Sequence, residues 1–127
     1  MSLTVLIADD DRDLARIVAY AARQVWPGCR TLLTDDGGTA LRHFAAEGPD
    51  VVILDVAMPP PDGFEVCRRI RETSGAPILI LTASEGPAGH ACAFALGATD
   101  YLTKPFDPAD LLARLQALTP APGGHVP

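Results

Sequence analysis

The sequence has little positive charge and no long apolar segment, and each shortage excludes a class of protein. Ten Lys and Arg residues stand against sixteen Asp and Glu residues, so the net charge is −6. Direct binding of this domain to a nucleic-acid backbone is therefore not expected, because such binding needs a surface rich in Lys and Arg. The apolar runs are only as long as strands, so we expect no transmembrane helix and no membrane partner. The start, MSLTVLIADDD, also lacks the basic region and cleavage site of a signal peptide.

The cysteines are too few and too irregularly spaced for a disulfide framework or a zinc site. Cys29, Cys67 and Cys92 are odd in number and fit neither CxxC nor zinc-finger spacing,. Reduced and mostly buried thiols are usual for such cysteines in the cytoplasm, which is the location we predict. The histidines have no partner at metal-ligand spacing, and we interpret them as surface residues: His43, His90 and His125.

Strand-like and helix-like segments alternate along the chain, which has 127 residues, 48% of them hydrophobic. The predicted strands are residues 4–9, 30–35, 50–55, 76–82 and 99–104. A helical pattern follows each strand, and this alternation predicts an α/β fold with a parallel sheet covered on both faces. Residues 1–119 are predicted to form one domain, and the Pro- and Gly-rich residues 120–127 to begin a linker.

Capping residues and prolines predict where the helices begin. The first helix is expected to have Asp11 or Asp13 as its N-cap. The fifth is expected to have Asp107 as N-cap and Pro108 in the first helical position. Glycines on both sides of Pro87 crowd the start of the fourth helix, which we expect to be short, late-starting or mobile. The first helix is predicted to bury one face: Leu14, Ile17, Val18, Ala21 and Val25.

Polar side chains gather where the predicted strands end. The first strand ends at Asp9 and Asp10, the third at Asp55, the fourth at Thr82 and the fifth at Lys104. Because ligands of doubly wound sheets bind outside the carboxyl ends of the strands, we expect these groups to meet. Carboxylates about 4 Å apart repel by about 4 kcal/mol at an effective dielectric constant of about 20, and a hard divalent cation such as Mg²⁺ offsets that repulsion. This set is typical of phosphoryl transfer, with Asp55 as the predicted nucleophile.

Four segments together resemble a known family. They are VLIADDD, VILDVAMPPPDGFEVCRRIR, PILILTA and GATDYLTKPFDPADLLARL. In order and spacing they are similar to the receiver (CheY-like) domain of two-component response regulators, in the form found in OmpR/PhoB-type transcription factors, over about residues 4–118. The resemblance implies a flavodoxin-like (βα)5 doubly wound parallel sheet with strand order 2-1-3-4-5.

The resemblance also implies a phosphorylation site with a bound metal. Asp55 corresponds to the phosphoacceptor. Asp9 and Asp10 correspond to the acidic pair, with Asp10 as the direct metal ligand and Asp9 acting through water. The carbonyl of Ala57 would complete the protein ligands of Mg²⁺, with Mn²⁺ as the alternative ion.

Other strand-end residues take roles in phosphoryl binding and switching in the same resemblance. Thr82 and Lys104 correspond to the partners of the phosphoryl oxygens. Tyr101 corresponds to the aromatic residue that, with Thr82, reports the phosphorylated state. A cis bond between Lys104 and Pro105 is expected mainly on this ground.

A receiver domain implies partners rather than an ordinary enzyme activity. The expected donor is a sensor histidine kinase, and the expected chemistry is self-catalysed phosphotransfer and autodephosphorylation. An OmpR/PhoB-type receiver dimerises through its fourth helix, fifth strand and fifth helix, for which Asp100, Asp110 and Arg114 are retained. The usual charged residues of the fourth helix are not. A transcriptional effector would lie outside this chain.

Two other functions are consistent with parts of the pattern. A phosphohydrolase of the haloacid-dehalogenase type also uses a strand-end Asp, Mg²⁺, Thr and Lys, but it needs a second acid where this chain has Ala57. A stand-alone or degenerate receiver could act as a protein-binding module, against which the complete set of Asp10, Asp55, Thr82 and Lys104 argues. A further hypothesis is that two small residues, Ala57 and Ser84, influence the rate at which the phosphoryl group hydrolyses.

Overall fold

Five short apolar segments form the strands of the computed structural model, which describes residues 3–83, 87–118 and 120. The strands are β1 (Thr4–Ala8), β2 (Arg30–Thr34), β3 (Val51–Asp55), β4 (Ile78–Thr82) and β5 (Asp100–Thr103). Neighbouring strands pair in parallel, in the order β2-β1-β3-β4-β5. The predicted strands, their order and the flavodoxin-like α/β fold are therefore confirmed.

Helices cover both faces of the sheet. They are α1 (Arg12–Val25), α2 (Gly37–Glu47), α3 (Gly63–Arg71), α4 (Pro87–Ala95) and α5 (Pro108–Ala117). One hydrophobic cluster joins the sheet to α1 and α5, and a second joins it to α2, α3 and α4. In β3, Val51 and Ile53 enter the first cluster, while Val52 and Leu54 enter the second. This alternation is the period of two that a strand imposes on its side chains.

The amino end of β3 is fixed to β1 by a polar contact. The Asp50 carboxylate, which is buried, accepts a hydrogen bond of 2.8 Å from the backbone N–H of Thr4. The pairing of Val5 with Val51 and of Ala8 with Leu54 follows in the same register. The central strand thus begins at a defined residue of its neighbour.

The helix ends largely follow the predicted caps. The Asp11 side chain accepts hydrogen bonds from the backbone N–H groups of Asp13 and Leu14, so Asp11 rather than Asp13 is the N-cap of α1,. Asp107 occupies the N-cap position of α5 and Pro108 follows it, but the Asp107 side chain makes no cap hydrogen bond. The Pro residue therefore defines this helix start through its fixed φ angle.

The predicted buried face of α1 is wrong at one residue. Val18 and Ala21 are buried, whereas Ile17 is 52% exposed. The helix packs on the sheet through small side chains such as Ala15, Ala19 and Ala22, and this face leaves Ile17 at its edge. Periodicity located the face but not its border.

The fourth helix begins at Pro87 and has nine residues, which agrees with the short, late start predicted for it. The predictions for Ser84, for the residues just before α4 and for His125 lie outside the described residues. The tail prediction does as well, except for Pro120, and the boundary after residue 119 stays a prediction. No described helix is long and apolar enough to cross a membrane.

An arginine ties α3 to the loops that lead into β4 and β5. The Arg71 guanidinium donates to the carbonyl oxygens of Gly97 at 2.7 Å, Ala76 at 2.6 Å and Ser74 at 3.2 Å, and to the Thr99 hydroxyl at 3.3 Å. Gly97 has φ +101°, and a Cβ atom there would meet the Arg71 side chain. Both the backbone angle and the close approach therefore require glycine.

Candidate functional site

The site lies at the carboxyl edge of the sheet, where β1, β3 and β5 end side by side. Asp9 follows β1, Asp55 is the last residue of β3, and Lys104 follows β5. The Asp9 and Asp55 side chains are 0% and 3% exposed, and that of Lys104 is 21% exposed. Two buried acids and one partly buried base thus converge from three strands, as the edge rule for parallel sheets predicts.

Lys104 contacts both buried acids. Its Nζ atom lies 3.1 Å from Oδ2 of Asp9 and 3.2 Å from Oδ1 of Asp55. The backbone N–H of Lys104 donates to the carbonyl oxygen of Thr82 at 2.7 Å, and this contact fixes the root of the side chain against β4. The ammonium is therefore shared between two carboxylates rather than paired with one.

Asp10 completes a cluster of three carboxylates. Single oxygen atoms of Asp9, Asp10 and Asp55 lie within 4.8 Å of one another, and Asp10 is exposed while the other two are buried. One ammonium leaves this group with a formal charge of −2. A set of hard oxygen donors with excess negative charge and one open side fits a hard divalent cation.

Burial and the contacts between the two groups shift the pKa values of Asp9 and Lys104. Burial of the Asp9 carboxyl raises its pKa above the usual range, although hydrogen bonds from the Asp11 backbone and Lys104 oppose the rise,. Burial of the Lys104 ammonium lowers its pKa, but the hydrogen bonds and charges of Asp9 and Asp55 outweigh this and raise it overall. The lysine is thus held in its charged form. The ionised form of Asp9 is disfavoured by burial unless a nearby positive charge stabilises it.

The backbone around Asp55 is closely packed. The N–H of Ala57 donates to Oδ1 of Asp55 at 3.2 Å, and the N–H of Val56 donates to the carbonyl of Leu81 at 3.0 Å. A Cβ atom on Gly63 would collide with the Asp55 carbonyl, so α3 begins directly against the end of β3. These contacts leave the Asp55 carboxylate little freedom to change direction.

Thr82 ends β4 at the same edge of the sheet. It is buried, and it pairs in register with Thr103, one step beyond the pairing of Asp55 with Leu81. The peptide bond between Lys104 and Pro105 is cis, as is that between Pro60 and Pro61 in the loop after β3.

Tyr101 and the charged residues expected at an interface lie on β5 and α5. The Arg114 side chain contacts both carboxylate oxygens of Asp100, at 3.0 and 3.1 Å. Its guanidinium carbon lies 6.0 Å from the centre of the Tyr101 ring. A cavity of about 400 Å³ is lined by Tyr101, Asp110 and Arg114, among others. These residues form a surface separate from the acid cluster.

The interpretation of His90 as a surface residue rather than a ligand holds only in part, because the residue is partly buried. Its imidazole stacks on the Tyr101 ring with centroids 3.6 Å apart and an interplanar angle of 24°. The Nε2 atom of His90 is buried and has no hydrogen-bond partner among the residues that the structure describes. His43, in α2, is also partly rather than fully exposed. No spacing in the sequence indicates the stack, because it joins α4 to β5 through tertiary packing.

Comparisons with known proteins agree with this geometry. The response regulator receiver domain family matches residues 5–116. The chain is 42% identical to the probable transcriptional regulator ycf27 of Guillardia theta, over 90% of this chain and 44% of that protein. It is 41% identical to the response regulator MprA of Mycobacterium tuberculosis, over 93% of this chain and 51% of that protein. The chain thus spans about half the length of the curated relatives it matches.

Solved structures share the fold closely. The chemotaxis response regulator CheY4 of Vibrio cholerae has a TM-score of 0.84 at 34% identity, covering 94% of this chain and 100% of that one. DrrB, an OmpR/PhoB homologue of Thermotoga maritima, has a TM-score of 0.83 at 33% identity, covering 91% of this chain and 52% of that one.

Proposed function

This chain belongs to the response regulator receiver domain family, and we propose that it accepts a phosphoryl group on Asp55 from a sensor histidine kinase. It is thus a signalling domain of a two-component system rather than an enzyme with an external product. The family assignment decides against the phosphohydrolase alternative. The observation that carries the proposal is the shared contact of Lys104 with Asp9 and Asp55 at the edge of the sheet.

Asp55 is the nucleophile in this proposal. A carboxylate oxygen attacks phosphorus, the bond between phosphorus and the donor's histidine nitrogen breaks, and the imidazole leaves with that electron pair. The rigid end of β3 orients the carboxylate for in-line attack. The Lys104 ammonium, 3.2 Å from Oδ1 of Asp55, neutralises charge on the transferred oxygens, and the Thr82 hydroxyl donates to another of them.

The acid cluster holds Mg²⁺ in this proposal, and Mn²⁺ can replace it. Asp10, Asp55 and the Ala57 carbonyl would hold the ion directly, and Asp9 would contribute through water. When bound, the ion supplies positive charge that offsets the negative charge of the phosphoryl oxygens. The support is the group of three carboxylates with oxygen atoms within 4.8 Å of one another.

The donor docks beside Lys104 in this proposal. An apolar depression of about 440 Å³ is lined by residues that include Leu14, Lys104 and Phe106. Ile17 lies one turn after Leu14 on α1 and is 52% exposed. An apolar surface next to the phosphoacceptor suits a helical segment of the kinase that presents its phosphohistidine in the cytoplasm.

Phosphorylation acts on the surface of α4, β5 and α5 by a shift of population. Thr82 follows the phosphoryl group and Tyr101 changes its position in response. A dimer through this surface uses Asp100, Asp110 and Arg114, and a transcriptional effector outside these residues reads the change. This domain does not itself bind nucleic acid, and it later releases phosphate by autodephosphorylation. The support is the clustering of these charged groups around Tyr101.

The test is phosphorylation by a small donor. The protein is incubated with Mg²⁺ and acetyl phosphate, and its intact mass is compared with that of Asp55→Asn and of Asp107→Asn. Asp107 is a matched control, since it is an acid whose side chain makes no cap hydrogen bond. We expect one base-labile phosphoryl group on the wild type and the control, and none on Asp55→Asn or in EDTA. A wild type that gains no phosphate, or an Asp55→Asn variant that still gains it, would refute the proposal. A wild type without phosphate would support the degenerate receiver.

A further inference from the structure

We propose that His90 is a positioning residue for Tyr101: its imidazole holds the tyrosine ring against α4 and thereby sets how readily the ring moves when Asp55 is phosphorylated. The inference rests on the proposed function and adds to it a residue of α4. It concerns the equilibrium between two arrangements of one surface, and it leaves the chemistry at Asp55 unchanged.

The geometry places the Tyr101 ring between two helices. On one side His90 stacks on it, with centroids 3.6 Å apart. Phe94, one turn later in α4, meets the same ring edge to face at 5.5 Å and 75°. On α5, the Arg114 guanidinium carbon lies 6.0 Å from the ring centre. The contact with His90 is the closest of the three, and a movement of Tyr101 away from α4 would break it.

The chemistry of His90 makes this contact easy to break. Its Nε2 atom is buried and has no hydrogen-bond partner within residues 3–83, 87–118 and 120, the part of the chain that the structure describes. A buried polar atom left unpaired destabilises the arrangement that contains it, whether the nitrogen carries a proton or a lone pair. The stack thus favours the described arrangement, and the unpaired nitrogen disfavours it. Because these two effects of the His90 ring oppose each other, the two arrangements of the surface differ little in free energy, as a switch requires.

Two substitutions at this position have opposite predicted effects. His90→Phe keeps an aromatic ring against Tyr101 and removes the unpaired nitrogen, so the tyrosine is held more firmly. His90→Ala removes the stack, so the tyrosine is released. A ligand that binds only the switched arrangement binds more tightly as that arrangement becomes more populated. Beryllofluoride, a mimic of the phosphoryl group, is such a ligand in this proposal.

The experiment is a beryllofluoride titration with Mg²⁺, followed by NMR of tyrosine labelled in its ring. The chain has two tyrosines, and Tyr20 is 63% exposed, so the two signals are distinguishable and Tyr20→Phe assigns them. In the free protein, the stacked imidazole should shift the Tyr101 ring signals upfield, and His90→Ala should reduce that shift. We expect the apparent affinity for beryllofluoride to rise about fivefold in His90→Ala and to fall about fivefold in His90→Phe, the factor that corresponds to about 1 kcal/mol.

His43 provides the matched control, since it is also a partly buried histidine but lies in α2. His43→Ala and His43→Phe should leave both readouts unchanged. The inference is overturned if the affinity for beryllofluoride changes in the same direction in both His90 variants. It is also overturned if the Tyr101 ring signals of the wild type show no upfield shift. If Asp55 accepts phosphate while the His90 variants bind beryllofluoride as the wild type does, this inference fails and the proposed function stands. If Asp55 accepts no phosphate, the proposed function fails first.

Discussion

Replacement of Lys104 by methionine tests the electrostatics of the site most directly. The change keeps the unbranched apolar part of the side chain and removes an ammonium that lies 3.1 Å from Asp9 and 3.2 Å from Asp55. Each of these contacts is worth about 5 kcal/mol of Coulomb energy at an effective dielectric constant of about 20. Most of that energy is offset by the desolvation of the lysine, so the net loss is smaller.

We expect Lys104→Met to lower the free energy of unfolding by about 2 kcal/mol at pH 7 without metal, since two buried carboxylates then lack their cation. The raised pKa of Lys104 means that the ammonium stabilises the fold fully below its ordinary pKa and ceases to do so only as pH rises through the raised one,. Its contribution is therefore complete at pH 7. The loss should shrink as pH is lowered through the raised pKa of Asp9, because this carboxyl then takes up a proton.

The same substitution should strengthen metal binding. The formal charge of the cluster falls from −2 to −3 when the ammonium is removed, so the apparent affinity for Mg²⁺ should rise about tenfold, a change of about 1.4 kcal/mol. Added Mg²⁺ should then stabilise Lys104→Met more than it stabilises the wild type.

The assay is urea unfolding in EDTA and in Mg²⁺, followed by the fluorescence of Trp26. Arg30→Met is the control, because Arg30 pairs with Glu47 at 2.8 Å but is 56% exposed. Exposed pairs contribute about 0–1 kcal/mol. The reasoning is refuted if Lys104→Met loses no more stability than Arg30→Met in EDTA, or if Mg²⁺ stabilises it no more than the wild type.

Three further predictions concern burial, hydrogen bonding and charge. Cys92 alone should react with a thiol reagent in the native protein at pH 8, because Cys29 and Cys67 are buried and burial raises their pKa. The number of reacting thiols is measured by spectrophotometry of the thiolate that the reagent releases. Arg71→Met should lower the free energy of unfolding by about 2 kcal/mol, because partly buried carbonyl oxygens lose their donor,, while phosphorylation by acetyl phosphate continues. Asp9→Asn should raise the free energy of unfolding in EDTA by about 1 kcal/mol at pH 7, as burial disfavours the native carboxylate,.

Each of these predictions has a control. Cys92→Ser should abolish the thiol reaction, and more than one reacting thiol in the wild type would contradict the burial argument. Arg69→Met, on the exposed side of α3, should cost little compared with Arg71→Met. For Asp9, the folded state binds its proton more readily than the unfolded chain. Wild-type stability should therefore fall as pH rises through the raised pKa, and the Asp9→Asn variant should lack that fall.

The strands and the acid cluster could be predicted because simple rules determine both. A run of five or six apolar residues bounded by turn residues predicts a buried strand. The carboxyl end of such a strand in a parallel sheet lies at the binding edge. Asp9, Asp55 and Lys104 follow their strands directly, so their convergence needs no knowledge of side-chain packing. The fold follows from the same alternation of strands and helices.

The contacts between elements could not be predicted in this way. Ile17 fits the helical spacing of the apolar residues in α1, yet its side chain is exposed. The buried alanines of α1 form the face that packs against the sheet, and Ile17 lies beside that face. His90 and Tyr101 are eleven positions apart, and only the packing of α4 on β5 makes them neighbours. A polar residue on a short apolar helix is as compatible with solvent as with a ring stack, so composition does not distinguish the two.

The apolar character of β3 has a consequence for how the chain finds its register. All five of its residues are buried. Because each face of the strand packs against a hydrophobic layer, burial alone does not determine its register with the neighbouring strands. A slip of one residue would still bury hydrocarbon, but it would turn Asp55 to the opposite side of the sheet. Asp50 prevents this, because its carboxylate must meet the N–H of Thr4. The hydrogen bond of Asp50 at the start of β3 therefore helps to determine the side of the sheet on which the Asp55 side chain lies.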